Sequence, residues 1–389
     1  MTPETILVRA RNLVLRLDDA ESVFVMLAGE RLAATPHALL VLHAFAHPRT
    51  VAEVLSVIAS GPEHWIEISS TVLQLYRTGV LVESGVSHDP PQGYERPTIH
   101  AVMLDDHART RGFVQAIHQL VTPNDVVLDI GTGTGILATA AALAGARVHA
   151  IEASRIADAA EKVFAVNRVI DHVTLHRGRS TQVALPERAT VLVTEMIGND
   201  PLDENMLEIV ADAKTRLLVE GARLIPSAIE IVAVPVDIPR RVFERHVFTA
   251  GRLEEWRAMY GVDLSPLLSV RPTASQPMMV KTADVLAWPR VAPPVSVATI
   301  DFAQPFDLTI RSRVSVLLKH DVERLGVLLA FRATLAPGIV LTTLLDAVDP
   351  ANHWRYGLWP SIDQPSFPLG TEVTIDYAHD RGTTTISMS

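Results

Sequence analysis

A buried strand that runs straight into a glycine-rich turn and then a helix limits most strongly how this chain can fold. The segment is VVLDIGTGTGILATAAALAGARVHAIEAS, in which the strand reaches Asp129 and the turn carries Gly131, Gly133 and Gly135. Glycines allow the tight backbone angles of such a turn and let a ligand approach the backbone. Glu152 ends the next strand, about twenty residues on, where a carboxylate can bind ribose hydroxyls. The segment therefore predicts a nucleotide-like ligand at the carboxyl edge of a parallel sheet.

The acid in front of the turn favours one class of nucleotide ligand. Asp129 would repel a pyrophosphate, whereas it suits a cofactor with a cationic aminoacyl end. The third glycine of the dinucleotide pattern is also missing from its usual place. S-adenosylmethionine is therefore the expected cofactor, and a nicotinamide dehydrogenase is the competing enzyme class. Thr132 in the turn and Ala153 after the second strand complete the expected cofactor residues of this segment.

The pattern around this segment divides the chain into regions. Residues 1–86 are predicted to form a small, mainly helical domain, which with the strand-like VLVES resembles winged-helix modules, including peptide-recognition modules attached to peptide-modifying enzymes. Residues 87–98, SHDPPQGYERPT, form a Pro-rich linker. Residues 99–226 alternate apolar strands with amphipathic helices, which predicts a doubly wound, Rossmann-like α/β domain. Residues 227–389 are β-rich and predict a sandwich or barrel, with a helical insertion near residues 239–265.

The composition excludes several chemistries. The 389 residues contain no cysteine, which rules out disulfides, thiolate metal sites and thiol nucleophiles. A net charge of −10 disfavours nucleic-acid binding and is compatible with a cationic substrate. The sequence shows no signal peptide and no apolar run long enough for a membrane span, so the cytoplasm is the expected location. His43 and His47 lie four residues apart, but without a third ligand they do not indicate a metal site.

Two glutamates flank a short loop that follows the strand ATVLVT. In VTEMIGNDPLDENML, residues 193–207, Glu195 and Glu204 stand on either side of a segment that contains Gly and Pro. Taken alone, they are most simply two solvated side chains, because Glu is rarely buried without a partner. The rest of the chain must decide between that interpretation and a paired-carboxylate site.

Further motifs occur in a fixed order along the chain. IHAVMLDDHARTRGFVQAI precedes the glycine turn and contains Met103, Asp106 and Arg109; TEMIGNDPLDEN contains the two glutamates; EEWRAMYGVDLS lies in the helical insertion; ANHWRYGLW contains His353 and Trp354. Together these segments resemble the protein arginine methyltransferase family over roughly residues 94–389: its pre-turn segment, double-glutamate loop, dimerisation arm and Thr-His-Trp loop. The resemblance implies a methyltransferase domain followed by a β-barrel, and a homodimer.

The resemblance also implies roles for these residues. Arg109 would hold the cofactor carboxylate, a task suited to a bidentate guanidinium, and Glu195 and Glu204 would grip the substrate. His353 would pair with Asp106, either to relay the departing proton or as a structural link between the two domains. The remaining implied residues are the pocket walls Met103, Met196, Asn199 and Trp354 and the cofactor contacts Tyr94, Ser180 and Thr181.

The chain departs from the family's pattern at the walls and the lid of the pocket. Only Tyr94 remains of a Tyr-Phe-x-x-Tyr helix, Met196 and Asn199 stand at aromatic positions, and GRSTQVALP lacks the adenine-side acid. These changes spare the two glutamates and Arg109, so the implied chemistry is better supported than the identity of the substrate.

An arginine substrate would explain why two carboxylates are needed. A guanidinium is planar and always charged, and none of its nitrogens offers a good lone pair. Two glutamates that grip its N–H groups would leave one nitrogen more nucleophilic and hold it in line with the methyl donor. The sequence therefore predicts an S-adenosylmethionine-dependent N-methyltransferase acting on free L-arginine, as in natural-product pathways, or on arginine in a peptide or protein. The alternatives are a catalytically inactive methyltransferase-like scaffold and, less favoured, an NAD-dependent dehydrogenase.

Overall fold

The computed structural model describes residues 2–10, 13–17, 23–27, 30–33, 37–83, 94, 96–270 and 277–389. The chain separates into two compact units, Met1–Gln92 and Gly93–Ser389. Most of the linker predicted at residues 87–98 lies outside the described residues. Across the described ranges, no helix is long and apolar enough to cross a membrane.

The first unit combines short strands with three helices. Its elements are β1 (Ile6–Arg9), β2 (Val14–Leu17), β3 (Val23–Leu27), β4 (Glu30–Ala33), α1 (Ala38–Ala44), β5 (Arg49–Thr50), α2 (Val51–Ile58), α3 (Pro62–Arg77) and β6 (Leu81–Glu83). The strands form two antiparallel sheets, β5-β1-β6 and β2-β3-β4. Thr50 and Glu53 form a capping box at the start of α2, because the Thr50 hydroxyl accepts from the Glu53 N–H at 3.1 Å and the Glu53 carboxylate from the Thr50 N–H at 2.9 Å. The winged-helix comparison stays a prediction.

The second unit begins with a five-stranded parallel sheet, as the sequence predicted. Its elements are α4 (Pro97–Asp105), α5 (His107–Leu120), β7 (Val126–Ile130), α6 (Ile136–Leu143), β8 (Arg147–Glu152), α7 (Ala157–Val166), β9 (Val173–Arg177), β10 (Ala189–Thr194), α8 (Met206–Arg216) and β11 (Leu218–Ile225). The strand order is β11-β10-β7-β8-β9 and all pairs are parallel. The order reverses between β7 and β10, and ligands of such sheets bind at the carboxyl ends of the strands beside this reversal.

Antiparallel strands fill the rest of the second unit, interrupted by the expected helices. The elements are β12 (Ala228–Asp237), α9 (Arg240–His246), α10 (Ala250–Tyr260), β13 (Met278–Lys281), α11 (Thr282–Val285), β14 (Val295–Asp301), β15 (Thr309–Leu317), β16 (Leu325–Ala336), β17 (Ile339–Thr342), β18 (Arg355–Pro360), β19 (Glu372–Asp380) and β20 (Thr383–Met388). They form the sheet β13-β18-β16-β12-β14, with β17 paired to β16, and the sheet β15-β19-β20. This is the β-rich domain predicted for residues 227–389.

One hydrophobic core joins the parallel sheet to the antiparallel strands. It includes Phe113 of α5, Val127 of β7, Val193 of β10, Ile231 of β12 and Phe331 of β16, each at most 1% exposed. Because protein interiors are close-packed, side chains contributed by the two parts are held at fixed separations. A site built from both parts is therefore preorganised.

Candidate active site

The glycine turn has the backbone conformation that the sequence predicted. It connects β7 to α6, and Gly131, Gly133 and Gly135 have φ angles of +76°, +54° and +83°, a region that favours glycine. A Cβ at Gly135 would lie 2.6 Å from the ring of Phe164, so a side chain would clash there. The turn therefore keeps the backbone N–H groups close to the carboxyl end of β7.

Two carboxylates organise this turn from opposite sides. Glu152, at the end of β8, accepts hydrogen bonds from the N–H groups of Gly133 at 2.9 Å and Ser154 at 2.8 Å. Asp129 lies beneath the turn, where it accepts a bond of 2.5 Å from the Thr132 hydroxyl. Burial, and then the charge of Glu152, raise the pKa of Asp129 to about 7. The second oxygen of Asp129 has no hydrogen-bond partner among the described residues.

A cavity of about 1150 Å³ opens beside the turn. It is lined by the residues that the sequence assigned to the cofactor and to the substrate, except Asp106, Asp129 and Gly135. The two sets of residues therefore share one continuous space. This volume is slightly larger than that of ordinary ligand pockets, which run from about 300 to 1,000 Å³.

The loop that carries the two glutamates, residues 195–204, is named the acid loop here. It leaves the end of β10, next to β7, so Glu195 enters the cavity beside the glycine turn. The Arg109 guanidinium binds one oxygen of Glu195 through Nε, at 2.7 Å, and through Nη2. The other Glu195 oxygen accepts from the Ile197 N–H at 3.3 Å. Glu195 is thus a buried, guanidinium-bound carboxylate and not a solvated one.

Glu204, at the other end of the acid loop, has a different environment. The Tyr94 hydroxyl donates a hydrogen bond to it. Burial, and then the negative charges of Glu195 and Asp203, raise the pKa of Glu204 to about 7, against the opposing hydrogen bond from Tyr94. Burial, and then the charge of Glu204, also raise the pKa of Tyr94. Glu204 therefore titrates near neutral pH.

The predicted pair of His353 and Asp106 is present. The Asp106 carboxylate caps α5 by accepting from the Arg109 N–H at 3.0 Å, and its second oxygen lies 2.9 Å from His353 Nδ1 and accepts from the His353 N–H at 3.1 Å. Burial alone would raise the pKa of Asp106, but these hydrogen bonds outweigh it and the pKa lies below its usual value. One carboxylate thus ties the β-rich domain to the first turn of α5.

The segment after His353 holds the middle of the acid loop. Trp354 is 5% exposed, its indole Nε1–H donates to the Ile197 carbonyl at 2.7 Å, and its ring meets Phe331 edge-on with the centroids 5.1 Å apart. The Arg355 N–H donates to the Asn199 side-chain oxygen at 2.7 Å. Trp354 and Asn199 line the cavity, as predicted, and also fix the loop that carries the glutamates.

Comparisons with known proteins agree with this geometry. The family model for ribosomal protein L11 methyltransferase (PrmA) matches residues 105–236. Probable protein arginine N-methyltransferase 6 of Arabidopsis thaliana is 31% identical over 254 residues, which cover 61% of this chain and 57% of that protein. Protein arginine N-methyltransferase 6 of Danio rerio is 35% identical over 178 residues, or 44% of this chain and 49% of that protein.

Over 44–61% of its length, this chain is similar to protein arginine N-methyltransferases.

Solved structures of arginine methyltransferases have a similar fold. The Trypanosoma brucei PRMT1 enzyme–prozyme heterotetrameric complex with AdoHcy aligns with a TM-score of 0.63 at 23% identity, over 76% of this chain and 94% of that one. Arabidopsis thaliana protein arginine methyltransferase 10 aligns with a TM-score of 0.57 at 20% identity, over 76% and 98%. Identities this low show the arginine methyltransferase fold alone. This chain spans little more than half the length of the first curated relative.

Three predicted cofactor residues have partners within the chain. Asp129 does not line the cavity, because its carboxyl lies beneath the turn, where it accepts a hydrogen bond from the Thr132 hydroxyl. Tyr94 lines the cavity and its hydroxyl donates to Glu204. Arg109 lines the cavity and also binds Glu195, and the roles of Tyr94 and Arg109 towards the cofactor stay predictions. Gly135 shapes the turn from behind the cavity wall.

Several residues that line the cavity were not anticipated from the sequence. His100 lies over Gly133, with its Nε2 2.6 Å from the Tyr94 carbonyl oxygen, and Arg179 and Arg355 also reach the cavity wall. His100 belongs to the pre-turn motif, whereas Arg179 and Arg355 stand next to the predicted residues Ser180 and Trp354. Adjacency to a predicted residue was therefore the signal that could have found the two arginines.

Proposed function

We propose that this chain is an S-adenosylmethionine-dependent methyltransferase that modifies a guanidino nitrogen of arginine. The observation that carries the proposal is the presence of two largely buried carboxylates, Glu195 and Glu204, on the wall of the cavity that also contains the glycine turn. Carboxylates are rarely buried without a charged partner. Glu195 has the Arg109 guanidinium as such a partner, whereas Glu204 forms no ion pair among the described residues, and a cationic, planar substrate supplies its missing partner.

The residues beside the turn fit the cofactor. Gly131 and Gly133, whose φ angles are positive, line the cavity together with the Glu152 carboxylate, where a nucleoside would lie. Arg109 uses three of its five N–H groups on Glu195 and the Met103 carbonyl, so two remain for a cofactor carboxylate among its described contacts. When bound, S-adenosylmethionine supplies an electrophilic methyl group on a sulfonium. Solved structures of arginine methyltransferases with AdoHcy or SAH, which have a similar fold, support this choice.

The carboxylates have separate tasks in this proposal. One oxygen of Glu195 accepts from both Nε–H and Nη2–H of Arg109, and the other accepts a longer bond from the Ile197 N–H and faces a substrate guanidinium in this proposal. Glu204, with a pKa near neutral, binds the substrate N–H groups as an anion. Together they orient the reacting nitrogen, and orientation of this kind supplies several kcal/mol of a displacement barrier, on the order of 7 or more in the best cases.

In this proposal, His353 accepts or relays the proton that leaves the guanidino nitrogen after methyl transfer. Because Asp106 lies beside Nδ1, the N–H is held on that nitrogen and Nε2 is the basic one. The same pair links the two domains, so its loss affects both the proton transfer and the structure of the site.

The substrate is proposed to be arginine in a peptide or protein, as the names of the curated relatives indicate for those proteins, or free L-arginine in a natural-product pathway. The altered pocket walls Met196 and Asn199 favour a specialised substrate. The first unit, Met1–Gln92, would then contribute to the choice of substrate or to assembly, and not to the chemical step.

The helical insertion is proposed to form a homodimer contact. Met259, Tyr260 and Val262 are 68%, 63% and 52% exposed at the end of α10, which is unusual for large apolar side chains this close together. Light scattering at micromolar concentration should give twice the monomer mass. A monomer mass would refute this contact.

The central experiment is methyl transfer from labelled S-adenosylmethionine to free L-arginine and to arginine-containing peptides, followed by mass spectrometry. S-adenosylhomocysteine should raise the melting temperature, whereas NAD should not. Cofactor binding without transfer to any guanidino compound would favour the inactive scaffold. Tighter binding of NAD would favour the dehydrogenase.

A further inference from the structure

The turn between β19 and β20 lies directly against the Glu204 end of the acid loop. This turn consists of Arg381 and Gly382, with φ angles of +46° and +72°. A Cβ at Gly382 would lie 2.9 Å from the Asn205 side-chain oxygen and 3.3 Å from the Asp203 carbonyl oxygen. Asp203 and Asn205 are the two neighbours of Glu204 in the chain. The hairpin therefore touches the acid loop on both sides of this glutamate.

A buried polar group in the same hairpin makes a second connection. Thr384 of β20 is 2% exposed, and its hydroxyl lies 3.0 Å from Nδ1 of the fully buried His379 of β19. Asp200, which is 5% exposed, lies in the middle of the acid loop; burial raises its pKa, and the nearby Thr384 hydroxyl lowers it to a smaller extent. Burial also lowers the pKa of His379, so these buried side chains resist ionisation.

The rest of the acid loop is fixed by other parts of the molecule. Arg109 binds Glu195 at its start, and Trp354 and Arg355 bind its middle. The carboxylate of Glu204 has only the Tyr94 hydroxyl as a hydrogen-bond partner in the part of the chain that the structure describes, and Tyr94 is 50% exposed. The position of the Glu204 carboxylate therefore depends mainly on how the backbone of residues 203–205 is held.

We infer that the β19–β20 hairpin is a positioning element for Glu204, in which Gly382 and Thr384 fix the backbone that places this carboxylate in the cavity. The inference rests on the proposed function, because it assigns the hairpin a role in orienting the substrate guanidinium. Small displacements matter in such a site, since a misplacement of about 1 Å can reduce a rate by about a hundredfold.

The first test compares Thr384→Val with Thr383→Val. Valine keeps the shape of threonine and removes the hydroxyl, and Thr383 is an exposed residue in the same hairpin. Thr384→Val should lower kcat by about tenfold or more, while the dissociation constant of S-adenosylhomocysteine stays within about twofold of the native value. Thr383→Val should leave both unchanged, and Thr384→Ser should restore most of the lost rate.

The second test uses glycine variants that share the same backbone strain. Gly382 and Gly338 have φ angles of +72° and +79°, but a Cβ at Gly338 meets nothing within 4 Å. Hydrogen exchange of the backbone amides of residues 199–205 should become at least about tenfold faster in Gly382→Ala and in Thr384→Val. It should be unchanged in Gly338→Ala and Thr383→Val. This measurement requires no methyl transfer.

The outcomes separate this inference from the proposed function. If the native protein methylates no guanidino compound, the proposed function fails, and hydrogen exchange still reports whether the hairpin holds the acid loop. Unchanged exchange of residues 199–205 in a folded Thr384→Val protein would overturn the inference. It would also be overturned if Thr384→Val slowed Glu204→Gln as much as it slows the native protein, since the hairpin would then not act through Glu204. If Thr384→Val does not fold, Gly382→Ala, compared with Gly338→Ala, replaces it in both comparisons.

Discussion

Replacement of Glu204 by Gln tests the central claim about the acid loop. Gln keeps the size of the side chain and can still pair with Tyr94, so the fold should be retained. It removes one of the two anionic partners of the substrate guanidinium. Loss of one charged partner in a desolvated site costs about 2–5 kcal/mol. Since about 1.36 kcal/mol is a tenfold change in rate, the predicted loss in kcat/KM at pH 8 is about 30- to 5000-fold.

The raised pKa of Glu204 makes the loss depend on pH in a defined direction. With a pKa of about 7, about one in ten molecules carries ionised Glu204 at pH 6 and about nine in ten at pH 8. The kcat/KM of the native protein should therefore fall about tenfold per pH unit below 7. Glu204→Gln has no ionisable group at this position, so the difference between the two proteins should shrink by about tenfold from pH 8 to pH 6.

The assay is initial-rate transfer of labelled methyl groups to the best arginine substrate between pH 5.5 and 9, with S-adenosylhomocysteine affinity measured in parallel. Glu220→Gln, on an exposed residue, is the control. Cofactor affinity should change by less than about threefold, because Glu204 binds Tyr94 and not the glycine turn. Near-native turnover at pH 8, or a constant ratio of the two rates across this range, would refute the reasoning.

Three further predictions concern stability and domain roles. Burial raises the pKa of Asp200 to about 7, so the folded protein keeps a proton that the unfolded chain loses near pH 4. This stabilisation is complete below pH 4 and is lost as the pH rises through 7. Between pH 4 and 8, the free energy of unfolding of Asp200→Asn, measured in urea, should therefore increase by about 2–4 kcal/mol relative to that of the native protein. Gly135→Ala should destabilise by about 2–4 kcal/mol, because its Cβ would meet Phe164 at 2.6 Å, whereas Gly370→Ala, with the same sign of φ and open space, should lose about 1 kcal/mol. Deletion of residues 1–86 should preserve S-adenosylhomocysteine binding measured by calorimetry, and a soluble truncated protein that does not bind it would contradict the assigned division of roles.

Sequence patterns were most informative where a structural requirement is local. Gly131, Gly133 and Gly135 predicted a tight turn, and the alternation of strands and helices predicted the parallel sheet. The acid loop was noticed because two glutamates flank a segment with Gly and Pro directly after a buried strand, β10. Each of these features depends on residues within about thirty positions of one another, the scale of a strand–helix–strand unit.

The hydrogen-bond partners of the site residues could not be predicted, because they depend on side chains that meet only in the folded chain. Arg109 and Tyr94 were assigned to the cofactor, and no motif predicted that each also binds a glutamate of the acid loop, at sequence separations of 86 and 110 residues. Asp129 is buried beneath the turn because a local hydroxyl, that of Thr132, competes for it. No sequence motif indicates the contact of the β19–β20 hairpin with Asp203, since glycine turns occur throughout such domains.

The carboxylate of Asp106 connects two distant parts of the sequence. It caps a helix near the beginning of the second unit and binds His353, which lies 247 residues further along the chain. A chain shortened before residue 353 would therefore leave Asp106 without its imidazole partner and the Ile197 carbonyl without the Trp354 indole. We expect the acid loop to lose its fixed position in such a chain, although residue 353 lies far from this loop in the sequence.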